Sequence, residues 1–294
     1  MALTTVRSIR LVCRRFNELA SPLLLPRMYL YLNQDSLDFA DAVSRSPHVA
    51  SGVRMVNVVL RYRPRELADD FGRFCTLAKK RLDAAAGCYV MDMSWEEAMA
   101  SDLRAFGHIS SVWGGANEGS DAPGDEKVDD PGSELLNRGF LGACDYQDIL
   151  RRSYQDFRLG HEEQLRLIND RTFVTNLSAT MARLPRTPSL SLTEESFSRS
   201  DYPYFNNSSE VLLTDKDMLC RFLASDLTWF SIAMLPYAAD VPPVRLLSEL
   251  PIGLYRAGAQ LRDLRICVLP LSNYLALRPF TAHLDGVETT EHEQ

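Results

Sequence analysis

Apolar residues recur at three- and four-residue steps at the start of the chain: Leu3, Val6, Ile9, Cys13, Phe16 and Ala20. That spacing predicts one helix over residues 3–20 with a single apolar face, stopped by Ser21-Pro22. Leu23, Leu24 and Leu25 carry the apolar surface on to Pro26, and the aromatic and aliphatic run at 27–32 predicts a strand. A short helix over 35–45, capped by Asp35 or Ser36, ends before Pro47. The β-branched run at 53–60 predicts a buried strand. Helical spacing returns over 64–86, and 88–93 is a candidate second strand. Ser94 and Glu97 have the spacing of a capping box, in which each side chain accepts from the other residue's amide, and open a helix to about Phe106.

Farther on, residues 143–184 form a long helical region, divided near Gly160 and Asp170 and closed by Pro185 and Pro188. Ser189-Leu-Ser-Leu-Thr193 alternates as a half-buried strand does. Residues 198–210 are polar and turn-rich. Helices are expected at 215–224 and 226–235, a strand at 244–247, a helix from about Pro251, and a strand at 264–268. From Pro279 the tail is polar and expected to fray.

Charge changes the picture at one place. The 294-residue chain carries a net −7, yet residues 114–134 alone contribute −6, with seven acids against Lys127. Five glycines and two prolines lie among those acids, a composition that cannot build a core, and disorder is expected there. The remainder is nearly neutral, so the balance gives no nucleic-acid footprint. The first twenty residues are locally basic, with Arg7, Arg10, Arg14 and Arg15 against Glu18. This is either a solvated face or complementarity to an acidic protein partner.

No apolar run approaches the length of a membrane span, and arginines interrupt the N-terminus where a signal core would lie. A soluble, intracellular chain is therefore expected. Its six cysteines (Cys13, Cys75, Cys88, Cys144, Cys220 and Cys267) are scattered, with no CxxC pair, and are expected to be reduced thiols. Glycine-rich phosphate loops, GxSxG and HExxH are absent, and the five histidines are dispersed. No cofactor, metal site or catalytic residue is expected, and the chain reads as a non-enzyme. A cryptic enzyme is the alternative from another class, to be recognised by clustered titratable groups in a pocket.

Residues 3–20, and Leu11-Val-Cys-Arg-Arg-Phe16 above all, resemble the second half of an F-box. The continuation Ser21-Pro-Leu-Leu-Leu-Pro-Arg-Met-Tyr-Leu30 and the segment Ser44-Arg-Ser-Pro-His48 look like fungal members of that family. Leu184-Pro185 with Leu190 and Leu192, and Leu261 with Leu264 and Ile266, resemble degenerate leucine-rich repeats. Positions 190 and 264 are 74 residues apart, close to three repeats of about 25.

The resemblance implies a mixed α/β chain: a helical partial F-box at 1–32, then an irregular leucine-rich-repeat-like body at 33–294 with a disordered acidic insertion at 114–134. It implies an adaptor that binds the Skp-type linker of a cullin–RING ubiquitin ligase and holds an unknown protein substrate by protein–protein contact. Neither nucleic acid nor membrane is an expected partner. Leu3, Val6, Ile9, Leu11, Val12, Cys13 and Phe16 are the partner-binding residues it implies. The family's F-box opens with a Leu-Pro-type helix that this sequence does not carry before Met1, so weakened linker binding is expected. Two alternatives stay open: the apolar stripe packs against the chain's own repeats, or the chain is a repeat scaffold or F-box remnant with no ligase link.

Overall fold

The computed structural model describes residues 8, 11–92, 97–115, 142–185, 188–194, 215–236 and 243–268. The chain is mixed α/β and divides into two compact units. One, the sheet unit, is drawn from Met1–Tyr62, Glu163–Glu195 and Leu227–Gln294; the other, the helical unit, from Arg63–Glu162 and Ser196–Asp226. The body read from sequence at 33–294 is thus shared by both.

In the sheet unit, α1 (Arg14–Ala20) and a 3-10 turn (Ser21–Leu23) lead into β1 (Arg27–Tyr31). Then come α2 (Gln34–Arg45), α3 (Pro47–Ala50) and β2 (Met55–Val59). The cap of α2 is Asn33, whose side chain accepts from the Ser36 amide at 2.8 Å, not Asp35 or Ser36 as expected. After the helical unit's α4 (Arg65–Ala68), α5 (Phe71–Asp92) and α6 (Glu97–Gly115), helix α7 (Ala143–Asn169) runs from one chain segment into the next. Helix α8 (Thr172–Arg183) and β3 (Ser189–Thr193) follow. The helical unit then contributes α9 (Lys216–Leu223), and the sheet unit closes with α10 (Trp229–Ala233), α11 (Leu246–Arg256) and β4 (Asp263–Ile266).

The four strands form one parallel sheet in the order β1-β2-β3-β4. Sequential order with crossovers of one hand brings successive helices to the same face, and α2, α8 and α11 do pack side by side in strand order. Register follows from alternation. Met28, Val56, Leu190 and Leu264 align across the sheet, as do Leu30, Val58, Leu192 and Ile266. The first three members of each row are fully buried. The opposite face carries the rows Tyr29–Asn57–Ser191–Arg265 and Tyr31–Val59–Thr193. All of β3 is buried, where alternation predicted half.

Leu190 and Leu264 are direct neighbours, so their 74-residue separation is one strand-to-strand step and not three repeats. The steps are 28 residues from Arg27 to Met55, 134 from Met55 to Ser189 and 74 from Ser189 to Asp263. Setting aside residues 63–162 and 196–226, which belong to the helical unit, the last two shorten to 34 and 43. The long steps hide a regular core interrupted by chain that folds elsewhere.

In the helical unit, Phe74 stacks at a tilt against Tyr154 and Phe157, with ring centroids 5.4 and 5.3 Å apart. The buried Trp113 indole donates to the Tyr146 carbonyl at 3.0 Å. Arg63 donates through Nε to Asp226 at 2.5 Å and through Nη1 to the Asp156 carbonyl at 2.7 Å, over the Phe157 ring. Gly160 does not divide α7 as expected; its bare Cα makes room for Arg63, since a Cβ there would lie 1.5 Å from Nη1. Helix propensity alone would make Gly160→Ala stabilising by about 1 kcal/mol. Displacing the guanidinium from its ion pair should outweigh that, for a net loss of about 1–2 kcal/mol in urea unfolding. Unchanged or raised stability would refute this role for the glycine.

Three other expectations fail. Residues 88–92 continue α5 and are not a strand. Residues 246–247 begin α11, which carries Pro251 in its interior and does not start there. Gly114 and Gly115 end α6, so the acidic segment begins later than 114; its residues 116–134 lie outside the described ones, as do Ser94, the 198–210 turns and the tail from Pro279. The division near Asp170 holds, at Arg171, whose φ of 58° is left-handed.

Candidate interaction surface

The N-terminal segment differs from the sequence reading in a way that bears on function. Residues 3–20 are not one helix. Cys13 is fully extended, with φ −161° and ψ 168°, and α1 begins only at Arg14. Phe16 and Ala20 stand one turn apart on neighbouring sides of α1, and the packing divides them: Ala20 is buried, whereas Phe16 is 48 % exposed. Leu3, Val6 and Ile9 lie outside the described residues.

The inward face of this segment is built from small or short polar groups. Ala20 and Ser21 are buried, and Ser21 Oγ donates to Asn17 Oδ1 at 3.0 Å. The next residue, Pro22, sits so close to Gly52 that a Cβ there would come within 1.8 Å of the Pro22 carbonyl oxygen. Pro26 anchors the segment from the other side, accepting from the amides of Arg54 (3.0 Å) and Met55 (3.2 Å).

The outward face is apolar and open. Phe16, Leu19 and Leu23 follow at three- and four-residue steps, which aligns them on one side of the turns, and Leu19 and Leu23 are 64 % and 55 % exposed. Leu11, at 84 %, and Val12 stand bare just before the helix, and Cys13 is exposed as well. Of the residues singled out from sequence, Leu11, Val12, Cys13 and Phe16 are thus uncovered. Leu19 escapes the sequence reading because the periodicity runs through Ala20, and Leu23, read there as continuing the apolar surface, is not joined to Phe16, although the 16-19-23 spacing is present in the sequence.

The polar face of the sheet is the second candidate. Ser189 donates to Asp263 at 2.7 Å, and Arg265 Nε donates to the other carboxylate oxygen at 3.1 Å. The Ser189 hydrogen bond, with the nearby Arg265 and Arg262 charges, holds the Asp263 carboxyl below its ordinary range. Asn57, Ser191 and Thr193 in the centre are buried, while Tyr29 and Tyr31 at one edge are half-buried and Arg265 and Cys267 at the other are exposed.

Among the described residues, no group of three or more His, Cys, Asp or Glu is placed to hold a metal ion. No described helix is long and apolar enough to cross a membrane. His161 is buried, with Nδ1 2.6 Å from the Arg63 carbonyl. Cys13, Cys75, Cys144, Cys220 and Cys267 are free thiols. Burial pushes the Cys75 thiol up to about 11 and raises Cys220 as well. At pH 8 a thiol reagent should therefore modify the exposed Cys13, Cys144 and Cys267 well before Cys75 and Cys220. In denaturant without reductant all six cysteines should react, and finding four or fewer would mean disulfides. Comparison with known proteins finds no matching family model, no similar curated protein and no similar solved structure.

Proposed function

We propose that this chain is a non-catalytic, intracellular adaptor of the F-box kind. Its N-terminal segment binds the Skp-type linker of a cullin–RING ubiquitin ligase, and its repeat-like body holds a protein substrate. The observation that carries the proposal is the open apolar ridge of Phe16, Leu19 and Leu23, with Leu11 and Val12 before it. Side chains of this size left in water on a segment otherwise seated by small groups favour a partner protein. The ridge lies in the stretch whose sequence resembles an F-box. The body supports the reading too. A sequential parallel sheet with α2, α8 and α11 packed side by side in strand order is how solenoid repeats stack. Such an adaptor contributes proximity and no reacting group.

The proposal is tested by affinity purification of the full chain from its native cells. Skp-type linker and cullin should co-purify in stoichiometric amounts. Their absence, with the sheet unit's partners still recovered, would leave a repeat scaffold with no ligase link.

A further inference from the structure

The charge beside the ridge specifies its partner further. On α1 the outward surface reads, in order around the axis, Arg14, Glu18, Arg15, Leu19 and Phe16, each about 40–60° from the next at 100° per residue, and Leu23 follows in the 3-10 turn. Glu18 is already engaged, accepting from Arg14 Nε at 3.3 Å. Arg15 is exposed and has no ion pair among the described residues. It borders Leu19 directly, so an unneutralised guanidinium lines the edge of the ridge. The preceding sequence adds Arg7 and Arg10, with no acid before Glu18.

We infer that the partner of this ridge is a protein with an apolar groove, rimmed by carboxylates where it meets Arg15. The inference rests on the linker reading above and deepens it. An apolar ridge supplies affinity without direction. A single-sign rim steers the encounter and fixes which way round the helix seats. Arg15 suits this role, because a planar guanidinium can meet a carboxylate through two parallel hydrogen bonds.

The test uses the full chain, purified Skp-type linker, and stopped-flow association at about 50 and about 500 mM salt. Arg15→Glu should slow association about tenfold at low salt and change dissociation much less. Arg15→Gln should fall between, and raising salt should slow the wild type towards the variants. Arg15 is exposed, so a thermal melt should find both variants folded. If Phe16→Ala destroys binding while Arg15→Glu and salt leave the association rate unchanged, the acidic rim is refuted and the linker reading stands. If the wild-type chain does not bind the linker at all, both fall together.

Discussion

Replacing Gly52 with alanine should cost about 3 kcal/mol of folding stability, the upper end of what forcing one extra group into a closed site costs. The clash is with backbone, since a Cβ at 52 would approach the Pro22 oxygen, carbonyl carbon and Cα at 1.8, 2.5 and 2.6 Å. No rotamer change relieves a backbone contact. Neither side is free to move: Gly52 donates to the Val49 carbonyl at 2.9 Å, and the chain after Pro22 is held through Pro26 to Arg54 and Met55 at the start of β2. An exposed glycine would gain stability on the same change, by about 0.4–1 kcal/mol, through a less flexible unfolded chain. The sign of the effect therefore decides whether the N-terminal segment is seated as described. Urea unfolding should show the loss with an unchanged m-value. A stability change within about 0.5 kcal/mol would mean that the contact does not form. The same substitution should loosen the ridge that Pro22 and Ala20 orient.

The fold was partly legible. Strands appear where β-branched or alternating runs stand between turn residues, and Met28, Val56, Leu190 and Leu264 fall into register as the pattern requires. Turn residues near Pro47 and Asp170 marked real boundaries. The failures share a cause, because partners distant in sequence decided them. Gly160 reads as a break until Arg63 is seen lying against it. Residues 88–92 have strand composition but extend a helix already under way. The 74-residue step looked like repeats because the helical unit borrows chain from between β3 and β4. At the N-terminus, the spacing through Leu3, Val6, Ile9, Cys13, Phe16 and Ala20 is real in sequence, yet the extended Cys13 breaks it. Leu11, Val12, Cys13 and Phe16 are exposed, whereas Ala20, which the spacing joined to them, is buried.

Phe16→Ala is the substitution on which the functional account turns. A phenylalanine packed in a core costs about 3–5 kcal/mol when truncated to alanine. Phe16 is 48 % exposed, so its loss should change folding stability by less than about 1 kcal/mol. If the ring is an anchor for a partner, the same change should remove about 2 kcal/mol or more of binding, roughly thirtyfold in Kd. Leu19→Ala and Leu23→Ala should behave alike, more weakly. Ala20→Asp, on the inward face, should instead unfold the segment.

The direct measurement is therefore calorimetric titration of purified Skp-type linker into the full chain and into its Phe16→Ala form, with a urea melt of each. The account predicts saturable one-to-one binding by the first, at least thirtyfold weaker binding by the second, and superimposable melts. Equal affinities, or no binding by the unaltered chain at high micromolar linker, would contradict it.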